Sequence, residues 1–103
     1  MKLILKFEKG CSAPVAWCEV CETEITDASR AMVYWRDEDC RHGLSTPLLV
    51  HKRCMSARAS LDERYDCSME LTTYLAFLLQ NVGLSGTEFE EANRNAGLLK
   101  TLF

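Results

Sequence analysis

The sequence predicts an α+β fold: an N-terminal strand, a Cys-x-x-Cys turn, a β-hairpin, a short helix, and a C-terminal helical hairpin. Three observations predict it. Cysteine and histidine occur in two spaced pairs, Cys18-Glu19-Val20-Cys21 and His51-Lys52-Arg53-Cys54. Between the pairs lie two short apolar runs, the first rich in β-branched and aromatic residues. Beyond residue 66, apolar residues recur at helical spacing. With 103 residues, 48% hydrophobic and 26% charged, the chain has the composition of a folded protein and the length for one ordinary core plus an extension.

Residues 2–7 read as a strand, because Leu3, Leu5 and Phe7 alternate with Lys2 and Lys6. Gly10 and Pro14 are expected to end it. Ala31-Met32-Val33-Tyr34-Trp35 and Pro47-Leu48-Leu49-Val50 read as the arms of a hairpin. The polar segment 36–46, with Asp37-Glu38-Asp39 and Gly43, reads as a mobile loop between them. From Lys52 to about Ser60 good helix formers dominate, with neither Gly nor Pro. Ser68 is a natural cap for a second helix, and Glu70 suits its positive first turn. Leu71, Tyr74, Leu75, Leu78 and Val82 then share one helical face, with Gly83 placed for a left-handed stop. Thr87 and Glu90 have capping-box spacing and predict a third helix over 88–96, ended by Gly97. Leu98, Leu99, Leu102 and Phe103 then form an apolar terminus that needs a core or a partner. The expected division is a module over 1–66 and a helical extension over 67–103.

Lys6 interrupts the N-terminal apolar stretch, and the longest apolar run, Tyr74 to Leu79, is far short of the roughly 20 residues that cross a bilayer. A cytoplasmic location is therefore expected. In a reducing compartment six cysteines favour metal or redox chemistry over a disulfide framework. Residues i and i+3 converge in a tight turn or a first helical turn, so each pair can present two ligands to one ion. Cys18, Cys21, His51 and Cys54 together supply three thiolates and one imidazole, which suits one structural Zn²⁺ per chain with a closed tetrahedral shell.

This arrangement resembles a treble-clef zinc finger, in which a knuckle supplies the first ligand pair, a hairpin follows, and the start of a helix supplies the second. The His51-x-x-Cys54 half also looks like the second pair of a LIM domain's first finger. A LIM domain would begin a second finger soon after Cys54, whereas the next cysteine here is Cys67, unpaired. The resemblance implies the zinc fold and the ligand roles for less than half of the chain. It implies no partner, since treble clefs serve nucleic-acid binders, adaptors and nucleases.

Other readings compete for the same residues. Trp17-Cys18-Glu19-Val20-Cys21 has the spacing of a thioredoxin-like dithiol, with Cys18 as attacking thiol, but that motif opens a long helix after a strand, whereas Ala13-Pro14 precedes it and Glu22-Thr23-Glu24-Ile25-Thr26 follows. Trp17 is then a packing residue beside the knuckle. Cys11, Cys40, His42 and Cys67 lack paired spacing; Cys40 and His42 are the alternates to His51. Lys52, Arg53, Arg58, Arg64 and Arg41 offer a small basic face for phosphates, and 68–82 with 88–96 invites comparison with a DNA-reading helix-turn-helix. The second of those helices carries Glu88, Glu90 and Glu91, and residues 61–103 hold seven acidic against three basic groups, which repels phosphate. No Gly-rich phosphate loop or identifiable Ser/His/Asp set is present. The expected function is therefore a non-enzymatic protein-interaction or regulatory module, with a protein partner or a homo-oligomer formed through the apolar C-terminal helices.

Overall fold

The computed structural model describes residues 4–56 and 65–101. Strand β1 (Ile4–Glu8) turns at Lys9-Gly10 and pairs antiparallel with β2 (Cys11–Trp17), whose last two residues pair with the short β3 (Glu24–Ile25). The strand predicted over 2–7 is present in its described part, but Gly10 and Pro14 do not end the sheet. Gly10, at φ +79°, makes the hairpin turn instead. Pro14 lies where only β1 borders β2, so a missing N–H is tolerable there.

The second sheet has the order β5-β4-β6, antiparallel throughout: β4 is Ala31–Trp35, β5 is Leu48–His51 and β6 is Cys67–Glu70. The predicted hairpin is β4 and β5, with Met32 opposite Val50 and Val33 opposite Leu49. A 3-10 turn, Ala28–Arg30, leads into β4, capped by Asp27, whose carboxylate accepts from Ser29 N at 3.0 Å. The segment expected to be a mobile loop contains a short helix, α1 (Asp37–Arg41). Three acidic residues in its first turn and Arg41 in its last match the helix dipole, and Asp37 N donates to Asp66 Oδ1 at 2.9 Å.

Helix α2 (Lys52–Ser56) starts directly at the end of β5; the rest of the helix expected up to Ser60 falls outside the described residues. Helix α3 (Leu71–Asn81) begins later than the Ser68 cap predicts. Residues 67–70 alternate half-buried and exposed and are the third strand of the sheet, with Ser68 opposite Tyr34. Pairing to β4 has overridden the capping signal. Gly83, at φ +73°, ends α3 as predicted, with Gly83 N donating to Gln80 O and Leu84 N to Leu79 O, the two bonds of a Schellman stop. Helix α4 (Gly86–Lys100) outruns the predicted 88–96 at both ends. Its N-cap is Ser85, so Thr87 lies inside the helix, and the Thr87–Glu90 box does not mark the start. Gly97 is accommodated in mid-helix.

The core lies between the second sheet and the Cys-x-x-Cys turn. Cys18, Ile25, Ala31, Val33, Leu49, Val50, Cys54, Met55 and Leu71 are the buried apolar residues among those described. The C-terminal helices reach it through the buried Leu71, with the half-buried Tyr74 packed against it.

Candidate metal centre

The first two candidate ligands sit in the turn that leaves β2. Cys18 N donates to Thr23 O at 2.9 Å and Glu22 N donates to Cys18 O at 3.0 Å, which folds 18–23 into a tight knuckle. Glu22 takes φ +56° to close it, a left-handed conformation held by a residue with a Cβ. Glu19 fastens the knuckle to the hairpin: its N–H donates to Leu49 O at 3.0 Å, and its carboxylate accepts from Leu49 N at 2.8 Å. Both backbone groups of Leu49 are thereby satisfied on the side of β5 that faces the knuckle. The other two candidates lie where β5 becomes α2, with His51 the last strand residue and Cys54 in the first helical turn.

These two connections bring Cys18, Cys21, His51 and Cys54 together, with all four ligand atoms within 4.8 Å of one another. Cys18 Sγ lies 3.7 Å from Cys54 Sγ, and His51 Nδ1 lies 3.3 Å from Cys21 Sγ and 3.9 Å from Cys54 Sγ. A tetrahedral zinc with sulfur at about 2.3 Å and nitrogen at about 2.0–2.1 Å sets sulfurs about 3.8 Å apart, and sulfur and nitrogen about 3.5 Å apart. The observed spacings match the first figure and bracket the second, and the imidazole presents Nδ1. The donor set, three thiols and one imidazole, is one that structural zinc sites use. The cluster is suited to a single structural metal ion such as Zn²⁺, and a knuckle and a strand-to-helix junction that each supply two ligands are consistent with a treble-clef-like zinc module.

Three of the four candidates are buried; Cys21 is the exposed one. Cys18 Sγ also accepts from Cys21 N at 3.5 Å and His51 N at 3.4 Å, donors that spread thiolate charge and hold the sulfur in place. Thr23 Oγ1 sits 2.9 Å from Cys21 Sγ. That hydrogen bond, helped by Cys18, Cys54 and His51, holds the Cys21 thiol down at about 6. Burial, then the neighbouring thiols Cys18 and Cys21, push Cys54 up to about 11. Crowded sulfurs resist sharing negative charge, and a divalent cation reverses that preference by offsetting all three thiolates at once.

Among the described residues this is the only such cluster. Cys11 lies in β2 and Cys67 in β6, both half-buried; Cys40 and His42 are exposed, with His42 Nε2 3.9 Å from Glu38 Oε1. His51, not Cys40 or His42, completes the quartet. Cys18 and Cys21 stand in a turn rather than at the start of a helix, and Cys18 is fully buried, unlike the accessible attacking thiol of a redox motif. Trp17 is half-buried at the end of β2, opposite Glu24. Of the basic residues, Lys52 is bonded to Glu70 at 2.8 Å and Arg41 to Asp37 at 2.8 Å; Arg53 is exposed, and Arg58 and Arg64 lie outside the described residues. Glu19 and Thr23 are the contributors that sequence reasoning missed. Glu19 had a signal, a carboxylate between two ligands; Thr23 had none.

No family model matches the chain, and no curated protein or solved structure matches it either. The reading therefore rests on the geometry of the cluster and the fold that holds it.

Proposed function

We propose that the protein is a non-enzymatic protein-interaction or regulatory module, in which one Zn²⁺ bound by Cys18, Cys21, His51 and Cys54 fixes the fold and the C-terminal helices supply the binding surface. The observation that carries this is the quartet itself: four ligand atoms within 4.8 Å, drawn from a knuckle and a strand-to-helix junction 30 residues apart at their closest. A shell filled by four protein ligands leaves no coordination position for substrate, which is the structural rather than the catalytic use of zinc. The metal's contribution is to hold together a small core, since apparent zinc-binding free energies of about 10–16 kcal/mol become folding free energy when the site is unformed without metal.

The apolar side chains of the module's C-terminal part support the second half of the proposal. Leu75, Phe77, Leu78, Val82, Phe89, Leu98 and Leu99 are all exposed, more than a surface of scattered apolar residues presents. Among the described residues no helix is long and apolar enough to cross a membrane, and a protein surface is the occupant that suits such a face.

Native mass spectrometry of protein purified without added metal tests the first half. One zinc per chain is expected, lost together with the near-ultraviolet signal of the folded finger when a chelator is added. A chain that keeps its cooperative melting after the metal is stripped would remove the proposal.

A further inference from the structure

The chemistry of the partner can be specified, and this step rests on the reading of the helices as an interaction surface. Tyr74, Phe77, Leu78 and Asn81 recur on α3 at i, i+3, i+4 and i+7 and so share about 100° of arc. They meet the second sheet at Trp35 and Met69. Trp35 is on the same face of β4 as the fully buried Val33, and Met69 lies opposite Val33. A helix face turned to the core side of a sheet is ordinarily buried. Here Phe77 stays 53% and Leu78 42% exposed, because an open cleft of about 370 Å³ lies between α3 and the end of the sheet, with Cys40, Ser45 and Pro47 completing its lining. That volume falls within the roughly 300–1,000 Å³ of ordinary ligand sites.

Three aromatic residues, Trp35, Tyr74 and Phe77, line the cleft. Among the described residues their rings do not stack on one another; the ring pair in contact is Tyr34 with Tyr65. Aromatic faces attract a cation held within about 6 Å of the ring centre. The charge around the cleft has the sign a cation needs. Asp37, Glu38 and Asp39 stand between Trp35 and Cys40, both in the lining, and Asp66 joins them by accepting from Asp37 N at 2.9 Å. Arg36 pairs with Glu38 and Arg41 with Asp37, which leaves Asp39 and Asp66 without an ion pair among the described residues. Helix α3 carries no charged side chain, and its C-terminal end, the negative pole of its dipole, reaches the cleft at Asn81. The lining itself holds no carboxylate. A lysine ammonium would therefore lose water from three N–H donors with no carboxylate to receive them, whereas a trimethylammonium has no N–H to satisfy and presents methyl groups to the rings. The cleft is open at Phe77 and Leu78, so it admits a side chain still attached to its backbone, and lysine's four-carbon stem covers apolar lining that a head group alone leaves wet. We infer that the cleft receives a trimethyllysine side chain of a partner protein, with its head group among Trp35, Tyr74 and Phe77.

Calorimetric titration of the metal-loaded full chain, with metal content and melting measured on the same samples, tests this. The probe is a short glycine-serine peptide with one central trimethyllysine. The comparators are the same peptide with lysine, the same peptide with the neutral isostere in which carbon replaces the nitrogen, and free choline. The trimethyllysine peptide is expected to bind below about 1 mM and at least about tenfold more tightly than either other peptide, a difference of about 1.4 kcal/mol. Choline, which lacks the full stem, is expected to bind about tenfold more weakly than the probe. Phe77→Leu keeps an apolar side chain but removes a ring, and is expected to lower affinity about tenfold with zinc content and melting unchanged; Phe77→Tyr is expected to restore it. Asp39→Asn is expected to cost about two- to threefold, an effect that disappears near 1 M salt. A probe that fails to bind at about 1 mM, an isostere or choline that binds as well as the probe, or Phe77→Leu without effect would each overturn the inference. An isostere that binds equally still leaves α3 a surface for partner side chains, and a zinc-loaded chain that ignores every probe leaves the metal centre standing. A chain without zinc contradicts that centre whatever it binds.

Discussion

The stretch from Cys18 to Leu71 and the helices beyond it hold their shape by different means. In the first, nine apolar side chains leave solvent around a sheet, a knuckle and a metal-ligand quartet. In the second, from Thr72 to Thr101, no described residue is buried. Helices of 11 and 15 residues are marginal in water on their own, and α3 is supported by the sheet only at its start, through Leu71 and the half-buried Tyr74. The same apolar fraction of sequence thus serves two ends: around the ligands it is consumed inside the chain, and in the helices it is left for another surface. A small domain with a short core gains rigidity from a metal, and a helix pair that adds little to that core gains it from a partner.

Removal of a ligand is the strongest way to break this contrast. Cys18→Ser takes away a buried sulfur that touches Cys54 and accepts from two backbone amides. Loss of the metal, worth about 10–16 kcal/mol, is as large as the whole of the roughly 5–15 kcal/mol by which domains are ordinarily stable. Hydrogen exchange is expected to show complete loss of protection over 18–55, with the amides of α4 scarcely changed from their already low protection.

Truncation of one leucine in each region measures the contrast directly. Leu49 is 2% exposed and Leu75 is 42% exposed. Leu49→Ala is expected to cost about 2–5 kcal/mol in chemical denaturation, and Leu75→Ala less than about 1 kcal/mol in the monomer. Equal losses would show that α3 is packed as tightly as the sheet.

Glu19→Ala removes the carboxylate that accepts from Leu49 N and is expected to cost about 1–3 kcal/mol. It should also weaken metal affinity, because the knuckle is no longer fastened to β5; a competition titration with a chromophoric chelator reads this. Glu22→Gly acts in the opposite sense and is the smallest change. It relieves a side chain at φ +56° and is expected to stabilise the metal-bound form by up to about 1 kcal/mol, seen as a higher melting temperature.

The two regions were also unequally legible in the sequence. The quartet was readable because two short spacings, Cys18-x-x-Cys21 and His51-x-x-Cys54, are geometric constraints that survive any detail of the chain between them. The arm Ala31–Trp35 was readable from its β-branched and aromatic content, and the other, read as Pro47–Val50 and found as Leu48–His51, from its apolar run. Three features were hidden, each by a local signal that tertiary pairing overrode. Pro14 and Gly10 read as a stop, yet β1 supplies β2 with a neighbour that needs no N–H from Pro14. Ser68 and Glu70 read as a helix start, yet β4 has an open edge that takes 67–70 as a strand. Asp37-Glu38-Asp39 read as loop, yet the acidic turn matches the dipole of a one-turn helix tied to Asp66. In the helices the apolar spacing was plain, but what it packs against is a matter of surfaces that spacing along one chain does not encode.

The central claim is that the four side chains meet around one divalent ion, and X-ray absorption at the zinc edge of the purified protein tests it most directly. The expected shell is three sulfurs at about 2.3 Å and one nitrogen at about 2.0–2.1 Å, reduced by one sulfur in Cys21→Ser. A shell dominated by oxygen or nitrogen, or a spectrum unchanged by that substitution, would contradict it.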